Sequence, residues 1–188
     1  MKQINDLGIT TIEGLSVKNL QRFPSMEWGP TGGLSADVFY KGKKILNLYQ
    51  AGNGGCAVTY MTEYGNTILG EVREAGLSFL RRRDTAYTDG KYDWLTKKTV
   101  KTFNDDDWEA VVNCMEERYD DIKEAAKCFK KGYKAVALLK NYCETSLLQY
   151  RVEDITLEEV TDYLKQHELN KRFTSVTIVR NSDNFKEF

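Results

Sequence analysis

The sequence of 188 residues has only two prolines, one histidine and four cysteines, and each scarcity excludes a class of protein. Two prolines are too few for a proline-rich linker protein. A single histidine, His167, excludes a metal site built from several histidines. The cysteines are scattered without a Cys-x-x-Cys pair, which disfavours a zinc finger and a disulfide scaffold; they are Cys56, Cys114, Cys128 and Cys143. We therefore expect reduced thiols and, because the N-terminus lacks the apolar core of a signal peptide, a cytoplasmic location.

Long apolar runs and an excess of either charge are also missing. No run approaches the roughly 18 apolar residues of a membrane helix. The formal net charge is −1, from 27 basic and 28 acidic residues, which argues against a generally basic nucleic-acid binder. The hydrophobic fraction of 41% is too high for a disordered chain and predicts a folded core.

Charge changes sign along the chain. Residues 1–103 carry 14 basic and 10 acidic side chains, whereas residues 104–188 carry 13 basic and 18 acidic side chains. We place the candidate boundary between an N-terminal and a C-terminal lobe at Phe103. One continuous domain is the alternative.

The N-terminal part predicts a β-meander followed by a helix. Alternating apolar residues and Gly-rich turns predict four strands, over 15–24, 34–40, 45–49 and 56–60. Helical spacing of apolar residues predicts a helix over 66–83 that buries Leu69, Val72, Phe79 and Leu80. A loop over 84–93 and a short strand over 94–100 follow.

The C-terminal part predicts a long helix, a hairpin, a second helix and a last strand. The long helix runs from an N-cap at Asn104 to about Phe129, with apolar residues confined to one side. Two strands over 133–139 and 146–152 form the hairpin, with a buried helix as the alternative for 133–143. A capping box, Thr156 with Glu159, opens a helix to about Glu168. A strand over 173–179 completes an α+β fold with mainly antiparallel strands.

Three groups of residues invite a chemical interpretation, and none has a specific motif. The glycines of 52–55 stand between two strands, where a phosphate-binding loop would precede a helix, so they indicate a turn. Cys56 and His167 lack a local nucleophile signature. The acids Asp105, Asp106 and Asp107 could hold Mg²⁺, but the dipole of a first helical turn explains them more simply, and the sequence identifies no further ligands. We therefore assign no catalytic residue, no metal ligand and no cofactor.

Acidic residues dominate the start of the long helix. Residues 104–124 contain nine acids and two bases, and six of the acids are predicted to form a band opposite the apolar side. Carboxylates on such a surface can bind the Arg and Lys side chains of a partner, in competition with phosphates. A solvated helix face is the alternative. The candidate partner-binding residues are Asp106, Glu109, Glu116, Glu117, Asp120 and Glu124.

Basic residues near aromatic residues suggest a second surface. Lysines and arginines interleaved with tyrosine and tryptophan can bind single-stranded nucleic acid by charge and stacking. A solvated surface explains them equally well. The candidate residues are Lys43, Lys44, Arg81, Arg82, Arg83, Lys97 and Lys98.

The N-terminal third resembles a loose family of small uncharacterised proteins that phages and other bacterial mobile elements carry. The resemblance lies in Ser35-Ala36-Asp37-Val38-Phe39-Tyr40-Lys41-Gly42-Lys43-Lys44 followed by Gly52-Asn53-Gly54-Gly55, and it covers roughly residues 15–60. It implies a genomic setting in bacteria, in which many proteins of this size inhibit host defence, anti-CRISPR proteins among them. It implies no catalytic residues.

These observations together predict a cytoplasmic interaction protein rather than an enzyme. We expect it to bind and block a basic host protein, such as an RNA-guided CRISPR nuclease, through the acidic helix. Two alternatives remain open at this point: a small metal-dependent nuclease that uses Asp105–Asp107, and a nucleic-acid-binding module that uses the side of Arg81–Arg83.

Overall fold

The computed structural model describes residues 2–53, 55–88, 103–140, 145–173 and 175–181. These residues form an α+β fold with antiparallel sheets, as the sequence predicts. They divide into two compact units, one containing residues 2–86 and 103–119 and the other containing residues 87–88 and the described residues of 120–181. The division falls between Tyr119 and Asp120, within the longest helix of the described residues. The lobe boundary that the sequence suggests at Phe103 stays a prediction.

The first unit contains a five-stranded meander in which each strand pairs with the next along the chain. Apolar residues at alternate positions give this sheet one buried face, which includes Leu15, Val17 and Leu34. The four predicted strands are confirmed. The strands are β1 (Lys2–Thr10), β2 (Leu15–Ser25), β3 (Gly29–Tyr40), β4 (Lys43–Gln50) and β5 (Val58–Met61).

Strand β1 is absent from the sequence-based prediction. Its buried residues Ile4, Leu7 and Ile9 do not alternate regularly, because the pairing with β2 is irregular between Asp6 and Thr10. The Asp6 carboxylate accepts a hydrogen bond from the Gly8 amide there, at 2.8 Å. Since such a bulge shifts side chains from one face to the other, period-two alternation does not reveal this strand.

Two helices follow the sheet where the sequence predicts one. Helix α1 (Glu63–Thr67) begins at the Thr62 N-cap, and helix α2 (Leu69–Thr88) follows directly. Residues 84–88 therefore continue a helix, and the loop predicted for them is wrong; the rest of that loop and the strand predicted over 94–100 lie outside the described residues. Val72, Phe79 and Leu80 are buried as predicted, and Leu69 is half-buried.

Helix α3 (Asp107–Phe129) is continuous and carries the acidic segment. Its buried side chains begin with Trp108, Val111, Val112 and Met115, which confirms the predicted apolar side. The helix begins three residues after the predicted cap, and the Asn104 amide donates to the Asp107 carboxylate at 2.6 Å.

The second unit contains a three-stranded sheet with β6 (Ala135–Lys140) between β7 (Thr145–Tyr150) and β8 (Ser175–Arg180). The predicted hairpin and final strand are thus confirmed. Helix α4 (Leu157–Gln166) begins with the predicted capping box and packs Val160 and Leu164 against Ala137 of β6. Among the helices of the described ranges, none is both long and apolar enough to cross a membrane.

Candidate functional site

Glu116 lies inside the first unit and not in an exposed band. Its carboxylate accepts hydrogen bonds from Arg22 Nη2 at 2.7 Å, Arg22 Nε at 3.0 Å and Lys2 Nζ at 3.0 Å. Arg22 also donates to the Asn113 side chain at 2.6 Å. Burial opposes ionisation of Glu116, but the bonds from Arg22 and Lys2 outweigh it and hold its pKa below the ordinary value. The predicted placement of Glu116 opposite the apolar side is therefore wrong.

The other candidate acids of the first unit keep contact with solvent. Asp106, just before α3, and Glu117 are exposed. Glu109 is half-buried, with one carboxylate oxygen 3.5 Å from Gln50 Nε2. These three residues are the part of the predicted acidic surface that the first unit leaves accessible.

Acids of the second unit form ion pairs with lysines of the same unit. Asp120 and Glu124 are both half-buried. Glu124 pairs with Lys127 at 2.5 Å, one turn further along the helix. Asp121 pairs with Lys140 of β6 at 2.7 Å, so part of the negative charge of this segment stabilises the unit itself.

The cluster Asp105–Asp107 is engaged in local structure. Asp105 pairs with Arg73 at 2.8 Å, and Asp107 accepts the bond from the Asn104 amide. Across the part of the chain that the structure describes, no group of three or more His, Cys, Asp or Glu side chains is arranged to hold a metal ion. Asp105 and Asp107 thus make contacts within the first unit.

Three of the candidate nucleic-acid residues have described side chains, and both lysines among them contact groups of the first unit. Lys44 pairs with Asp37 at 2.6 Å, and Lys43 Nζ lies 5.0 Å from the centre of the Tyr64 ring. Arg81 is exposed on α2. The side chains of Arg82 and Arg83, and all of Lys97 and Lys98, lie outside the described residues.

Cys56 belongs to the first unit and His167 to the second. Cys56 is an exposed free thiol, Cys114 is partly buried and Cys128 is buried; Cys143 lies outside the described residues. His167 follows α4 as its C-cap, and its ring lies 4.3 Å from the Tyr163 ring.

Exposed apolar side chains lie on the outer face of the meander and at the β2–β3 turn. Trp28 is 53% exposed, Tyr49 41%, Tyr60 60% and Val58 47%, and Met26 is fully exposed at the β2–β3 turn. Phe23 stacks on Tyr49 with ring centres 5.7 Å apart. We call this set the outer-face patch: Phe23, Met26, Trp28, Tyr49, Val58 and Tyr60.

Glycine makes the close packing within this patch feasible. A Cβ added to Gly33 would lie 2.1 Å from the Phe23 ring, and one added to Gly32 would lie 2.5 Å from the Trp28 Cβ. Gly52, with a φ of +72°, packs in the same way on Ser25 and Gly32. The β2–β3 turn and the loop after β4 therefore meet at one end of the sheet.

Charged groups on the same face occur as internal pairs. Lys18 pairs with Asp6 at 2.9 Å, and Lys44 pairs with Asp37. Burial opposes ionisation of Asp37, but hydrogen bonds from Lys44, Asn19 and Asn47 outweigh it and lower its pKa. The two charges of each pair neutralise each other. The outer face therefore presents apolar surface to a partner without a strong electrostatic field of either sign.

The sequence does contain the signal for this patch. Tyr49, Val58 and Tyr60 occupy positions at which a strand with one buried face normally carries polar residues. Their exposure becomes evident only once the strand register assigns them to the outer face.

Comparison of the chain with models of known protein families, with curated proteins and with solved structures finds no match.

Proposed function

We propose that this protein acts by binding another protein in a fixed ratio and thereby blocking it. The observation that carries the proposal is the outer-face patch of the first unit. Large exposed apolar patches on a folded domain mark interaction sites. Protein interfaces are enriched in tryptophan, tyrosine, phenylalanine and methionine and depleted of charge at their centre, which is the composition of this patch.

The same composition favours a protein partner over a nucleic acid. Phosphates are bound mainly by lysine and arginine, and such side chains supply most of the affinity. The described lysines on the outer face, Lys18 and Lys44, are each paired with an aspartate. A phosphate would have to displace these carboxylates, whereas an apolar protein surface would leave both pairs in place.

The partner we propose is a host-defence protein of a bacterium, such as an RNA-guided CRISPR nuclease, with this protein acting in the bacterial cytoplasm. This part of the proposal rests on the resemblance of the N-terminal third to mobile-element proteins. Nucleases that hold RNA and DNA present many Lys and Arg side chains. The accessible acids Asp106 and Glu117 would add electrostatic attraction to such a partner.

A titration of a reconstituted RNA-guided nuclease tests the proposal. We expect inhibition of the cleavage of a labelled DNA to saturate at a fixed molar ratio of this protein to nuclease. An enzyme would instead act at trace amounts and continue with time. Unchanged cleavage at several-fold molar excess, across nucleases of different types, would contradict the proposed partner.

Charge reversal of Asp106 and Glu117 to Lys is expected to slow association with the nuclease and to leave stability nearly unchanged. Exposed charges usually contribute less than about 1 kcal/mol each to folding. The matched control is Glu74→Lys with Asp154→Lys, which changes the net charge equally at two exposed acids elsewhere. Association rates are measured by surface plasmon resonance at low and high salt. Equal rates for both double variants would remove the accessible acids from the interface.

A further inference from the structure

Three separate stretches of the first unit contain no basic residue. Residues 23–33, 49–58 and 103–112 contain no Lys or Arg, but contain five acids. Two of these acids are engaged, because Asp105 pairs with Arg73 and Asp107 accepts from the Asn104 amide. Three others lie at the surface or partly so: Glu27, Asp106 and Glu109.

Hydrogen bonds and glycine contacts bring these three stretches together. The Gln50 side chain donates to the Gly55 carbonyl at 2.6 Å and accepts from the Gly52 amide at 3.0 Å. The Gln50 nitrogen that donates to Gly55, Nε2, also lies 3.5 Å from the Glu109 carboxylate at the start of α3. Gly52 in turn packs on Ser25 and Gly32 of the β2–β3 turn. We call Glu27, Asp106 and Glu109 the acidic rim.

We propose that the turn end of the outer-face patch, Met26 and Trp28, forms one docking surface with the acidic rim for a protein segment with apolar side chains flanked by Lys or Arg. This inference rests on the proposed function and specifies the chemistry of the partner. Charge complementarity carries it, since the three stretches offer carboxylates and no basic group. An interface with an apolar centre and a charged rim is the arrangement that gives both affinity and a fast encounter.

Met26 and Trp28 are the anchors of this surface. They project from the β2–β3 turn, where Met26 is fully exposed and Trp28 is 53% exposed. The Trp28 amide donates to the Ser25 hydroxyl at 3.0 Å, so the turn that carries both side chains has its own hydrogen bond. Tryptophan is over-represented among the residues that dominate binding energy, and methionine adapts to irregular apolar surfaces.

Selection from a random peptide library displayed on phage tests this surface without knowledge of the natural partner. The full-length protein is the target, and Met26→Ser with Trp28→Ser is the patch variant. Serine keeps the Cβ that packs on Gly32, so the turn retains its form. The matched control is Ile12→Ser with Val152→Ser, which also removes two exposed apolar side chains.

We expect enriched peptides to combine aliphatic or aromatic residues with Lys or Arg. A labelled synthetic peptide of the enriched sequence should bind the patch variant about tenfold or more weakly, measured by fluorescence anisotropy. The control should bind as the wild type does. Glu27→Lys should also weaken binding and reduce its dependence on salt.

Four outcomes would overturn the inference. The first is the absence of any enriched peptide, and the second is a set of enriched peptides that binds the patch variant as tightly as the wild type. The third is binding of a labelled single-stranded oligothymidylate that the patch variant loses, which would assign the surface to nucleic acid. The fourth is a dimer of the wild type in sedimentation equilibrium that the patch variant lacks, which would assign it to a second copy of this chain.

This test separates the surface from the proposed partner. If the nuclease titration fails while peptides with apolar and basic residues are enriched, the docking surface stands and the nuclease is not its partner. If the titration succeeds and the patch variant inhibits as well as the wild type, the protein blocks the nuclease through another surface.

Discussion

Replacing Phe79 with alanine is expected to lower the free energy of unfolding by about 3–5 kcal/mol, the usual cost of removing a buried aromatic side chain. Phe79 is fully buried on α2 in the first unit. Truncation removes its contacts and leaves a cavity that the neighbouring side chains fill only in part. Urea unfolding followed by circular dichroism measures the change.

A substitution on the exposed side of the same helix is the control. Glu74 is exposed, so Glu74→Ala should change stability by about 0.5 kcal/mol or less. If Phe79→Ala costs no more than this control, α2 does not pack its apolar side into the first unit in solution.

Replacing Glu116 with glutamine is expected to lower the free energy of unfolding by about 3 kcal/mol, the lower end of the range for breaking a buried ion pair. The lower end applies because Lys2 is 34% exposed, and water can solvate part of its charge. Arg22 is more enclosed and loses two charge-assisted hydrogen bonds. Glu74→Gln, at an exposed position on α2, is the control and should change stability by about 0.5 kcal/mol or less.

The contribution of Glu116 should also depend on pH. Its pKa is lower in the folded protein than in the unfolded chain, so the unfolded chain binds the proton more readily as the solution becomes acidic. The stabilisation is complete above the unfolded pKa, which is about 4.3 for glutamate. It is lost as the pH falls through the folded pKa. The stability difference between wild type and Glu116→Gln should therefore shrink below about pH 4, and a difference that stays constant would show that the ion pairs do not stabilise the fold.

Glu116 also shows where helical periodicity reaches its limit. A helical wheel gives the direction in which each side chain leaves the helix axis. It does not show which residues of other elements lie in that direction. Glu116 is next to the buried Met115, and the sheet places Arg22 and Lys2 beside it. Because these partners are 94 and 114 residues away in sequence, no local pattern could have matched them with Glu116. A charge reversal that included Glu116 would test the core and not the surface.

The predicted elements succeeded where one local rule decided them. The capping box of Thr156 and Glu159 begins α4 as predicted. Its two hydrogen bonds, each from the backbone amide of one residue to the side chain of the other, form within four residues. Strands β3 and β4 follow from alternation, because each has one buried face. Strand β1 escaped prediction, because its pairing with β2 is irregular and its buried residues do not alternate.

The sequence by itself determined the α+β class, the regular strands, the apolar sides of α2 and α3, and the acidic character of the segment around α3. Each depends on local periodicity or composition, which neighbouring residues fix through backbone geometry. Only the tertiary structure decided which acids are neutralised within a unit and which aromatic side chains stay exposed. Both depend on residues far apart in sequence, since the register of paired strands sets the face of each side chain and long-range packing sets the partner of each charge.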